Sequence, residues 1–159
     1  MTGAVRLGRW KLRAFADLTR SLFAKVERGG AEECGCDACE NFIAVRDRTY
    51  PREFLQALAG LGIDPRKDAE VVHYVRLPNG LHSYGGWFHA VAEIEEGADA
   101  WVGLPAGGHT LQLEPLSKGF AFGVSGRVAL VHAAFAGRPL VQVEFATEAP
   151  WVVAKAEPA

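Results

Sequence analysis

Long apolar runs are missing from this chain. Nothing approaches the roughly eighteen consecutive apolar residues that a membrane-crossing helix needs, so none is expected. Met1 to Phe15 scatter basic residues among apolar ones, without the unbroken hydrophobic segment and small-residue cleavage site of a secretory signal. A cytoplasmic location is therefore expected. An excess of one charge is missing too. Seventeen Lys and Arg stand against 19 Asp and Glu, for a formal net charge of -2. No strong basic field exists to hold nucleic acid or an anionic membrane. Arg46, Arg48, Arg52, Arg66 and Lys67 do gather near one predicted helix, but Asp47, Glu53 and Asp64 dilute them. Cysteine is scarce: there are 3, an odd number, whereas a secreted disulfide scaffold would want more, spread along the chain. Ser83, Ser117 and Ser125 have no activating motif around them. Gly103 to His109 is glycine-rich but lacks the Lys-Ser/Thr of a phosphate loop. No fixed-period repeat or low-complexity segment occurs, and no motif names a reaction.

What remains is 159 residues, 49% hydrophobic, with 18 glycines and 4 tryptophans. That fits one globular domain over residues 1–159 and argues against disorder or long helical rods. Trp10, Leu12 and Ala14 alternate with Lys11 and Arg13, as in a strand. From Phe15 the period changes: Phe15, Leu18, Leu22 and Val26 predict an amphipathic helix ending at Gly29-Gly30. Gly29 to Phe42 reads as a Gly- and Cys-rich loop. A helix follows from Pro51 through Phe54, Leu55, Leu58 and Leu61, stopped by Gly60 or Gly62.

Beyond Lys67 the signals are those of strands. Val71 to Arg76 and Tyr84 to Ile94 flank Pro78-Asn79-Gly80, a hairpin turn. Gly97 breaks the second of these. Short strands are expected at Trp101–Leu104, Thr110–Leu113 and Phe120–Val124. A second hairpin is expected from Val128–Phe135 and Leu140–Phe145 across Gly137-Arg138-Pro139, with Pro150 to Val153 closing the fold. The fold class is α+β: a mainly antiparallel sheet or sandwich covered by one or two helices. Gly85-Gly86 within the aromatic run Tyr84 to His89 reads as a bulge in a core strand, or as one wall of a binding groove.

Cys34-Gly35-Cys36-Asp37-Ala38-Cys39 carries the chemistry. Thiolates are soft, strong zinc ligands, and a glycine between two of them lets the sulfurs converge. A structural zinc on Cys34, Cys36 and Cys39 is expected. The fourth ligand would come from His73, His82, His89, His109, His132 or Asp37. If Asn79-Gly80 is a two-residue loop, Leu77 pairs with His82, and His73 and His82 share one hairpin face while His89 points away. That favours His82, then His73. A longer loop or a bulge would reverse these assignments. Two other readings stand beside zinc: a redox dithiol of Cys36 and Cys39, and three reduced thiols that merely pack in a ligand-binding β-sandwich. Three cysteines are too few for an iron–sulfur cluster unless two chains share it. Three protein ligands would leave zinc a water and open a hydrolytic route.

Cys34-x-Cys36-x-x-Cys39-x-Asn41-Phe42 is joined by the Phe54–Leu58–Gly62-Ile63-Asp64-Pro65 helix and turn, by Tyr84-Gly85-Gly86-Trp87-Phe88-His89, and by Val143-Glu144-Phe145 with Pro150-Trp151. In these motifs, which span most of residues 34–153, the chain resembles an uncharacterised bacterial family of small proteins, a domain of unknown function. The resemblance implies a shared fold and a shared cysteine site, and no substrate. Phe42 would anchor the loop, and Asn41 would hydrogen-bond the turn or the thiolates from behind. The partner is left as a protein or small molecule. An exposed edge strand could also pair between two copies to give a homodimer.

Overall fold

Alternating apolar residues build the first hairpin. In the computed structural model, which describes residues 2–159, Gly3–Leu7 (β1) pairs antiparallel with Trp10–Ala14 (β2), burying Leu7, Trp10, Leu12 and Ala14. Four helices follow: Ala16–Phe23 (α1), Gly30–Cys34 (α2), Asp37–Thr49 (α3) and Arg52–Leu61 (α4). The helical cover is thus larger than the one or two helices expected, because the segment read as a Gly- and Cys-rich loop is helical almost throughout. Pro51 sits at the N-cap of α4, and Gly62, at φ 79, ends it.

The strands are Glu70–Arg76 (β3), His82–Glu96 (β4), Trp101–Gly103 (β5), His109–Leu111 (β6), Glu114–Ser117 (β7), Phe120–Ser125 (β8) and Leu140–Ala149 (β9). One seven-stranded sheet runs β1-β2-β4-β9-β8-β7, with β3 also on β4; β5 and β6 form a separate ribbon. All pairings are antiparallel. The long β4 organises the sheet. Its first half pairs with β3 and its last residues with β2, while β9 fills the opposite edge from His82↔Ala149 to Val91↔Leu140.

The expected hairpin of Val128–Phe135 with Leu140–Phe145 does not form. β9 has β4 on one edge and β8 on the other, so no edge is left for that segment. It becomes an irregular loop ending in a 3-10 turn at Ala133–Phe135. Nor is Pro150 to Val153 a strand. A proline offers no N–H to a ladder. There is also no bulge at Gly85-Gly86, since both residues stay in register with β9. Glycine is needed there for close approach: a Cβ on Gly86 would lie 2.5 Å from the Glu70 carbonyl oxygen and 2.7 Å from the Phe145 ring.

The core lies between the helices and one face of this sheet. Phe42, Tyr50 and Phe54 from the helical layer meet Phe88, Phe120 and Phe145 from the strands, with Phe54–Phe120 centroids 4.9 Å apart and Tyr50–Phe145 5.3 Å. Buried Arg46 of α3 ties this layer to α2 through a 2.8 Å bond to Glu32.

Candidate metal centre

The three cysteines sit where α2 turns into α3. Gly30 N–H and Ala31 N–H at the start of α2 donate to the backbone and side chain of Asp68, which fixes that helix against the turn before β3. Cys34 is its last residue. Gly35 then takes φ 66, a left-handed conformation that glycine adopts without strain, and Cys36 becomes the N-cap of α3. Asp37 and Glu40 occupy the first turn of α3, where acidic groups suit the helix dipole. Of the glycines and cysteines that suggested a loop, Gly35 is a C-cap and Cys36 an N-cap, while Cys34 and Cys39 are helical.

This corner makes the sulfurs converge. The Sγ atoms of Cys34, Cys36 and Cys39 all lie within 4.8 Å of one another, and none is in a disulfide. They are close enough to hold a metal ion. A tetrahedral ion with bonds of about 2.3 Å to sulfur would set them roughly 3.8 Å apart, so contraction by about 1 Å suffices. Cys34 and Cys36 are exposed and Cys39 is buried. The Cys39 N–H donates to Cys36 Sγ at 3.4 Å, and this bond, with smaller contributions from the Cys34 and Cys39 thiols, lowers the Cys36 pKa. Burial pushes the Cys39 thiol far above the ordinary thiol range, and hydrogen bonding to its two neighbours adds to it. Of these two groups Cys36 is therefore the readier to ionise and Cys39 the more reluctant. A bound cation would supply the charge that ionises all three.

The hairpin register brings two histidines together by two errors that cancel. The turn holds three residues, Pro78 to Gly80, with Leu77 N–H bonded to the Leu81 carbonyl, so Arg76 and not Leu77 pairs with His82. An irregularity between His73 and Val75 shifts the register once more. His73 and His82 end on one face, with His73 Nε2 2.9 Å from His82 Nδ1. His82 is fully buried, and its Nε2 lies 2.8 Å from Glu157 Oε1. An ionised Glu157 accepts from His82 Nε2–H; His82 Nδ1 then accepts from His73 Nε2–H. These partners assign the tautomers and leave His73 Nδ1 with a lone pair. His82 has both ring nitrogens engaged. His73 lines a cleft of about 490 Å³ together with Cys36, Ala38 and Trp151.

The remaining candidates lie elsewhere. His89 is on the other face of β4, bonded to Gln142 at 2.9 Å. His109 stacks on Trp101, His132 Nδ1 accepts from Ala134 N–H, and Asp37 is 4.0 Å from Lys155 Nζ. Among the described residues, the convergent group consists of the three cysteines. Asn41 is buried behind them. Its amide donates to Tyr84 Oη at 3.1 Å and to the Pro150 carbonyl at 3.0 Å, and its oxygen accepts from Val152 N–H at 2.7 Å. Tyr84 Oη in turn donates to the Ala38 carbonyl inside the cysteine turn.

Sequence reasoning missed Tyr84, Trp151 and Glu157. Tyr84 was legible as the next residue on the His82 face. The tail carried no signal, because Glu157 reaches His82 across 75 positions. Among the described residues no helix is long and apolar enough to cross a membrane. Compared with family models, curated proteins and solved structures, the chain matches none.

Proposed function

We propose that this is a small zinc protein in which Cys34, Cys36 and Cys39 hold a structural ion that locks the α2–α3 corner, and that it works in the cytoplasm by binding a protein or small molecule. The observation that carries this reading is the convergence of three unoxidised sulfurs within 4.8 Å at a corner built from two helix caps. The donor set is soft and supports zinc over magnesium or calcium, which take oxygen. The fourth position falls to a histidine of the β3–β4 hairpin or to water. His73 has a ring nitrogen to give. His82 gains one only if Glu157 or His73 lets go. The test is metal content with thermal melting. Stoichiometric zinc that survives dialysis, and a melting temperature lowered by a strong chelator, are expected, because binding energy at such a site is folding energy. An unchanged melt after verified removal of the metal would overturn the structural role.

One observation favours a second reading. Cys36 at a helix N-cap with a lowered pKa, three residues before a buried Cys39 with a raised one, is the asymmetry of an attacking and a resolving thiol. In that reading a partner disulfide takes two electrons and two protons from the pair, and Cys36 and Cys39 join. Metal-free protein with one fast-alkylating thiol at Cys36 would support it over zinc.

A further inference from the structure

The chain buries polar chemistry on the other face of β4, away from the cysteines. His89 is 3% exposed, and its neighbours Gln142 and Glu144 on β9 are nearly as deep. They form a chain. Gln142 donates its amide N–H to Glu144, and its oxygen accepts from Ala129 N–H at 2.9 Å. With the Gln142 oxygen so assigned, His89 Nε2 must be the donor across their 2.9 Å contact, and His89 Nδ1 keeps a lone pair. Burial lowers the His89 pKa and so favours the neutral ring. Three polar side chains under one loop are costly where apolar residues would pack.

His89 is one wall of a cavity of about 150 Å³ between the end of α1, the start of α2, the turn before β3 and the 126–135 loop. Phe23, Val26, Leu130 and Phe135 supply its apolar side, with the Phe23 and Phe135 rings 5.0 Å apart. Asp68 also lines it. One carboxylate oxygen accepts from Ala31 N–H, and the other is buried with no hydrogen-bond partner. Leu130, at the rim and 63% exposed, adopts φ 53, the one non-glycine residue at positive φ among the described residues. Such strain gathers at ligand clamps. A cavity of about this size accommodates a single aromatic ring. Its wall carries both signs, Arg28 and Lys67 with Glu33 and Asp68, alongside His132, so it offers no strong preference for an anion or a cation.

We propose that this cavity is a binding site for a small neutral molecule carrying one aromatic ring and one O–H or N–H donor, the donor bonding to His89 Nδ1. The site is independent of the cysteine cluster and stands whether or not that cluster holds zinc.

Ligand-detected NMR titration of the full chain with phenol, toluene and benzoate tests it. Saturable phenol binding is expected, about tenfold tighter than toluene, the difference one hydrogen bond makes. Benzoate should bind more weakly than phenol. In His89→Leu the preference for phenol over toluene should vanish. A second readout needs no variant: the ¹⁵N resonance of His89 Nδ1 should begin in the range of an unprotonated nitrogen and move upfield as phenol is added. Equal affinity for phenol and toluene, tighter binding of benzoate, no saturable binding, or an unmoved Nδ1 resonance would each overturn the proposal.

Discussion

Asn41 joins the two sides of the cysteine corner. It holds Tyr84, whose hydroxyl grips the turn at Ala38, and it holds the chain at Pro150 and Val152. Replacing it with alanine removes three hydrogen bonds at a fully buried position and strands at least one partner. Asn41→Ala should cost about 3 kcal/mol in denaturant unfolding. Asp68 behaves differently. Burial raises its carboxyl pKa, so the fold disfavours the ionised form. Its contribution to stability is complete below about pH 3.9, the unfolded value, and is lost as pH rises through the higher folded value. Asp68→Asn should therefore gain on the wild type as pH rises, read from parallel denaturant melts across that range. At this scale the sequence was partly legible. The soft ligands and the aromatic anchors stand in plain spacing. Asp68 carried no signal, because its role comes from α2 packing on it from 37 positions away.

Among elements, the α2–α3 corner shows why composition misled. Glycine and cysteine are poor helix formers in an interior, and here Gly29, Gly35 and Cys36 sit at caps while Cys34 and Cys39 lie in the end turns. The Gly85-Gly86 pair was read as a bulge for the same reason: glycine in a strand marks either a bulge or a close approach, and only the neighbours decide. Gly86→Ala should cost about 2 kcal/mol or more, since the new methyl meets the Phe145 ring and backbone of β3. Thermal melting of the variant checks this. The C-terminal tail is the other element hidden from sequence reasoning. Its bond to His82 holds the Glu157 carboxyl below the ordinary range. A lowered pKa means that docking is complete above about pH 4.3 and is lost as pH falls through the folded value. Backbone NMR signals of residues 151–159 should shift together in that acid range, and Glu157→Gln should abolish the transition.

Across the whole molecule, a sheet with both faces in use places two kinds of chemistry apart. The helical face of β4 carries His82, Tyr84 and Phe88 into the core beside the cysteines, and its other face carries His89 to the loop that replaces the expected hairpin. Fold class was legible from the alternation and turn residues, while topology was not. Nothing local in Leu140 to Ala149 reveals that β4 and β8 claim both of its edges. The account rests on the three sulfurs sharing one ion. X-ray absorption at the zinc edge of the purified protein tests that most directly. The prediction is three sulfurs at about 2.3 Å with one lighter neighbour, lost when Cys34, Cys36 and Cys39 are replaced by serine. A protein that carries no zinc, or zinc ringed by nitrogen and oxygen alone, would contradict it.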